Sequence, residues 1–223
     1  MTIENDFRLQ NESNELTDWA NLAYYSAENK RFSAENNSGD RVVFMGDSIT
    51  ENWNTLYPEF FKENKFINRG IGGQTSPQML IRFRQDVIDL NPKVVLILAG
   101  TNDIAGNTGP STVKMIFDNI ISMSEMALVN GVNVIICSVL PVIEYNWSPV
   151  PNPNQKIIRL NQMLSNYAEK NNMLYLDYYK ATVDERPGLK KEYSDDEVHP
   201  NLAAYEMMSH LALDAIEKAS NNL

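Results

Sequence analysis

Two stretches constrain the fold more than anything else in this chain: "KVVLILAG" (93–100) and "VNVIICSVL" (132–140). Both are continuously apolar and rich in β-branched residues. A strand with one wet face alternates apolar and polar positions. An unbroken apolar run of this length suits a strand covered on both faces, hence a parallel sheet. Three more short runs, "RVVFMG" (41–46), "KFINRG" (65–70) and "NMLYLDY" (172–178), carry similar residues. Helical patterns lie between them. "SPQMLIRFRQDVIDL" (76–90) has Pro77 in its first turn, where a missing N–H costs nothing. In 109–131, Ser111 is a candidate N-cap and Gly131 a C′ residue. The span 153–171 places Ile157, Leu160 and Leu164 on one helical face, and 202–220 closes the chain. Strand–helix alternation of this kind predicts an α/β fold with helices on both faces of a parallel sheet. A further helix at about 15–30 precedes the first strand.

The 223 residues contain no repeat or linker-like tract, so one domain over 1–223 is expected, with 1–38 a helical extension packed on it. Nineteen basic against 29 acidic residues give a net charge of −10. That argues against a nucleic-acid binder, which needs a basic face for phosphates, and against docking on an anionic membrane. Cys137 is the single cysteine, so no intrachain disulfide forms; its apolar setting reads as a core thiol. The N-terminus has no apolar h-region, and no stretch approaches the roughly 18 apolar residues of a membrane helix. A cytoplasmic location is the expectation, although a secreted protein recloned without its leader reads the same.

In an open α/β sheet, ligands bind beyond the carboxyl ends of the strands. Here "GDSIT" follows the first strand, "GIGGQTS" the second, "GTND" the third, and a loop with Tyr145 and Trp147 the fourth. After the fifth, the chain runs on to "DDEVHPN" (195–201). Topology alone brings these segments to one rim. Ser48 sits at a strand-to-helix turn, where its hydroxyl is exposed. Serine needs a base, and the chain has two histidines: His210 within a helix and His199 in a loop. His199 is the better placed to reach across. Asp196, three residues before it, can fold back onto the imidazole. Gly73 and Asn102 can add N–H donors to that of Ser48, completing an oxyanion hole. Each piece also has an ordinary reading: a capped turn at 46–48, a tight loop at 70–73, a helix cap at Asn102 and Asp103, a solvated pair at Asp195 and Asp196. Their placement at successive strand ends favours the catalytic one.

These residues resemble the SGNH hydrolases, the GDSL esterase/lipase superfamily. "VVFMGDSIT" (42–50), "NRGIGGQTS" (68–76), "LAGTND" (98–103) and "DDEVHPN" (195–201) are similar to its four sequence blocks, in order. The resemblance implies a flavodoxin-like three-layer α/β/α sandwich with a five-stranded parallel sheet of order 2-1-3-4-5. It implies a triad of Ser48, Asp196 and His199, and an oxyanion hole of Ser48, Gly73 and Asn102, with Gly72 the alternative glycine. It implies ester hydrolysis through an acyl-enzyme with no metal or organic cofactor. Asp47 and Asp103 have no second histidine at ligand spacing near them. The chain looks most like the platelet-activating-factor acetylhydrolase-like proteins and the bacterial carbohydrate acetylesterases. A small-molecule ester, mainly acetyl on a sugar or similar alcohol, is the expected substrate, contacted by Asp47, Tyr145 and Trp147. A lysophospholipase or thioesterase with the same triad is the alternative. The N-terminal helix, with Trp19, Tyr24 and Tyr25, is expected to cover the sheet edge; an interface in a homo-oligomer is its other reading.

Overall fold

The structure, a computed structural model, describes residues 18–35 and 39–221. Five parallel strands, β1 (Val42–Gly46), β2 (Ile67–Gly70), β3 (Val94–Leu98), β4 (Asn133–Cys137) and β5 (Leu174–Leu176), form one sheet in the order β2-β1-β3-β4-β5. Every residue of β1 and β3 is buried, the consequence of apolar side chains on both faces. Val43 and Met45 point to one core, Val42 and Phe44 to the other. The fold is therefore a three-layer α/β/α sandwich with that strand order.

One layer holds α1 (Ser26–Ala34), α4 (Ser76–Asp86), α6 (Val113–Val129) and α7 (Pro153–Lys170). The other holds α2 (Ser48–Leu56), α3 (Pro58–Asn64) and α9 (Leu202–Asn221). Short helices α5 (Thr101–Ala105) and α8 (Tyr178–Thr182) follow β3 and β5. Trp53 of α2 anchors the second layer. It is 1% exposed, stacked 5.1 Å from Phe60 and 5.3 Å from Tyr205. Emptying such a site by truncation costs about 3–5 kcal/mol. The thiol of Cys137 is buried in this layer, and that burial pushes its pKa up.

Two expectations about helix ends change. The helix expected from 109 starts at Val113, and its N-cap is Thr112, whose Oγ1 accepts from Met115 N–H at 3.2 Å; Ser111 lies outside it. Its C-terminus is as expected: Gly131 adopts φ +74° and Val132 N–H returns to Ala127 C=O at 3.0 Å. The N-terminal helix occupies Ser26–Ala34 rather than about 15–30. Asp18 caps a series of turns through the N–H groups of Leu22 and Ala23, and Asn21 takes φ +55°. These turns occupy the chain before the helix begins. Residues 15–17 of that expectation, and 1–17 and 36–38 of the proposed extension, lie outside the described residues.

Candidate active site

β1 ends at Gly46, and Asp47 turns the chain into α2. Its Oδ1 accepts from Ile49 N–H at 2.9 Å, an N-cap. Ser48 is then the first helical residue, so its own N–H has no acceptor within the helix. Its Oγ lies 3.1 Å from His199 Nε2.

The histidine comes from a compact loop closed by a bridge between Ser194 and Pro200. Val198, fully buried, anchors it, and Glu197 at φ +65° makes the turn. Asp196 Oδ1 accepts from the N–H groups of Val198 (2.9 Å) and His199 (2.7 Å). Its Oδ2 stands 2.7 Å from His199 Nδ1. Partial burial pushes this carboxyl up, but the His199 backbone N–H, the imidazole and the Val198 N–H outweigh that and hold it at about 2. Ionised Asp196 keeps the proton on Nδ1, which leaves the Nε2 lone pair facing Ser48. Asp195 is exposed and His210 lies exposed on α9, neither at the site.

The second rim segment starts at Gly70. A Cβ there would sit 2.1 Å from the Glu51 backbone nitrogen, so only glycine lets β2 end against α2. Beyond it the two candidate glycines separate. Gly72 N–H donates to Glu51 Oε2 at 2.9 Å. Gly73, at φ +74°, has no acceptor for its N–H among the described residues, and it is the available donor. Asn102, 3% exposed, donates from Nδ2 to Gln74 C=O at 3.1 Å. Its other Nδ2 hydrogen is free for a ligand. Asp103 binds Ser76 instead, accepting its N–H at 2.8 Å and its hydroxyl at 2.6 Å, which ties the third rim segment to the start of α4.

The expected substrate contacts divide. Trp147 is 46% exposed, its ring 6.2 Å from that of His199 and inclined by 29°. Asp47 and Tyr145 require correction. Asp47 is 1% exposed and is spent on the cap; burial pushes its carboxyl up to about 7, against the lowering effect of the Ile49 N–H. Tyr145 is 4% exposed and backs Trp147 at 5.2 Å between ring centres. Neither presents a side chain to the rim. Two residues escaped the sequence reading. Glu51, one helical turn after Ser48, holds the Gly72 loop, and that spacing was available as a signal. Asn107, between Asn102 and Trp147, sits in a loop with no periodicity to mark it.

Serine, histidine and aspartate are bonded in series at the switch point of the sheet, the arrangement that serine hydrolases use. Residues 44–207 match the GDSL-like Lipase/Acylhydrolase family, and the chain belongs to it: it is a carboxylic ester hydrolase. A GDSL-like lipase from Bacteroides thetaiotaomicron VPI-5482 superposes with a TM-score of 0.87 at 45% identity, covering 90% of this chain and 98% of the other. A Bacteroides fragilis NCTC 9343 protein, described provisionally as an acylhydrolase, gives 0.89 at 44% identity, over 91% and 99%. An acetylxylan esterase from Geobacillus stearothermophilus shares the fold at 20% identity and a TM-score of 0.64, over 81% and 95%. The Bacillus subtilis lipoprotein YqeF is 34% identical over 122 residues, which span 47% of this chain and half of that protein. Among the described residues no helix is long and apolar enough to cross a membrane.

Proposed function

We propose that the protein removes short acyl groups, chiefly acetyl, from a carbohydrate or similar polyhydroxylated alcohol. The observation that carries this is Trp147: a half-exposed indole beside the imidazole of His199, suited to stack on a sugar ring whose ester reaches Ser48. The likeness of the fold to an acetylxylan esterase supports the same reading.

In this reading Ser48 Oγ attacks the ester carbonyl while its proton passes to His199 Nε2. The N–H groups of Ser48, Gly73 and Asn102 receive the oxyanion. Collapse breaks the bond to the alkoxy oxygen, which leaves with the proton from His199. Water, deprotonated by His199, then attacks the acyl-serine, and the second collapse releases the carboxylic acid and restores Ser48. Asp196 stays ionised throughout and balances the imidazolium. No metal enters the scheme.

A series of p-nitrophenyl esters from acetate to decanoate, run beside an acetylated xylo-oligosaccharide and an acyl-CoA, tests it. We expect kcat/KM to fall with chain length and acetate release from the oligosaccharide. Activity that rises towards decanoate, or that prefers the thioester, sinks the short-acyl reading. It would point instead to a lysophospholipase or thioesterase.

A further inference from the structure

We infer that Asn107 is a positioning residue of the oxyanion hole, and that through it Trp147 helps to orient Asn102. Asn107 Nδ2 donates to two groups, Asn102 Oδ1 at 2.9 Å and Gly73 C=O at 3.1 Å, the side chain and the backbone of the two residues flanking the hole. Asn107 Oδ1 accepts from Trp147 Nε1 at 3.0 Å. One exposed side chain thus joins three rim segments.

The chemistry of the partners makes the arrangement directional. An amide side chain can turn over, exchanging its donor and acceptor ends. For Asn102 that exchange would put an oxygen, not an N–H, where the oxyanion forms. Indole N–H is a donor only, and a backbone carbonyl is an acceptor only. The indole of Trp147 and the carbonyl of Gly73 therefore set Asn107 with its oxygen towards the indole and its nitrogen inward. That nitrogen then holds Asn102 Oδ1, while Gln74 C=O accepts from Asn102 Nδ2. A reversed Asn102 would oppose oxygen to the Gln74 carbonyl and nitrogen to the Asn107 amide. Both contacts are lost together, so the amide is locked with its free N–H in the hole. The same bond to Gly73 C=O steadies the residue whose own N–H, one peptide earlier, is the second donor. An alkyl or phenyl ring at 147 could stack on a substrate, but it could not supply the polarity that starts this chain.

The inference rests on Asn102 as an oxyanion donor, so Asn102→Ala runs beside the test variants Asn107→Ala, Asn107→Asp and Trp147→Phe. The readouts are kcat/KM on p-nitrophenyl acetate, the Ki of phenylboronic acid, whose serine adduct places an oxygen in the hole, and the melting temperature. Losing one orienting hydrogen bond predicts that Asn107→Ala lowers kcat/KM about threefold to tenfold and weakens the boronate equally. Trp147→Phe, which keeps the ring, should lower kcat on this sugar-free ester by a smaller factor. Asn107→Asp keeps an acceptor for the indole but donates nothing when ionised. Its kcat/KM relative to wild type should rise as pH falls and the carboxyl regains a proton. Asn107→Ala and Trp147→Phe both within twofold of wild type, with Asn102→Ala inactive, would overturn the inference alone. An active Asn102→Ala would overturn the oxyanion assignment and the inference with it.

Discussion

At the scale of single residues, the site is governed by which atom of a polar group faces which partner. Asp196 shows this most sharply. One of its oxygens takes two backbone N–H groups, and the other takes the imidazole. An asparagine here would keep its carbonyl oxygen on the two N–H donors, because the opposite orientation sets donor against donor. Its NH2 would then face His199 Nδ1. That forces the proton onto Nε2, the tautomer that cannot accept from Ser48. We expect Asp196→Asn to lose about 10³–10⁴ in kcat with the fold intact. Asp195→Asn, at an exposed position without a partner in the site, should stay within about twofold. Equal losses in the two variants would reverse the assignment. The three-residue offset from Asp196 to His199 was readable in "DDEVHPN", because a carboxylate at that spacing can close on the ring within one turn. The orientation of Asn102 was not readable. It depends on Asn107 and Gln74, and contacts made from separate loops leave no trace in local spacing.

At the scale of elements, the strands were the most legible part of the chain. β3 and β4 bury both faces, so their apolar runs have no alternative home. The polar helix α4, between β2 and β3, was the least legible. In "SPQMLIRFRQDVIDL" the helical pattern is clear, but nothing in its spacing marks Arg82 as a core residue. It is fully buried. Its guanidinium donates to Asp86 (2.9 Å), to Gln74 (2.6 Å), and to the carbonyls of Gly46 (3.0 Å) and Arg69 (2.8 Å) at the ends of β1 and β2. Gln74 continues the network to Ala20 C=O at 2.8 Å, so α4 binds the N-terminal segment to the loop carrying Gly73. Such a charge is tolerated only because each of its three nitrogens finds an acceptor, a property of the assembled strand ends and not of the helix. Arg82→Leu would leave the Asp86 carboxylate buried beside Asn29 and Gln85 without its cation. We expect a loss of about 3–5 kcal/mol in urea unfolding. A loss below about 1 kcal/mol would mean that the buried ion pair does not hold α4 to the strand ends. The N-terminal helix was misplaced for a related reason. Asp18 commits its carboxylate to the turns that precede it, and only the folded chain shows which N–H groups it meets.

At the scale of the whole molecule, two carboxylates of the site pull stability in opposite directions with pH. Asp196 is held at about 2, below its unfolded value of 3.8. The stability it contributes is present above about pH 4 and is lost as pH falls towards 2. It is more than a third exposed, so water screens much of that effect. Asp47 is raised by burial to about 7, above its unfolded 3.8. Between those values the folded chain keeps a proton that the unfolded chain releases, so its contribution is present below about pH 4 and is lost as pH rises through 7. Three units at about 1.4 kcal/mol each set an upper scale of roughly 4 kcal/mol. The net charge of −10 adds a repulsion that also grows with pH. That repulsion is common to wild type and variants, and at 0.15 M salt it is screened beyond about 8 Å. The Asp47→Asn variant isolates the local effect. Its Oδ1 can still accept the Ile49 N–H, so α2 keeps its cap, but it carries no proton to lose. We expect wild-type unfolding free energy, measured with urea, to fall between pH 5 and pH 8, and Asp47→Asn to fall less over the same range. Parallel curves for the two proteins would show that Asp47 does not hold its proton in the fold, and that the turn beneath Ser48 bears a buried negative charge at neutral pH.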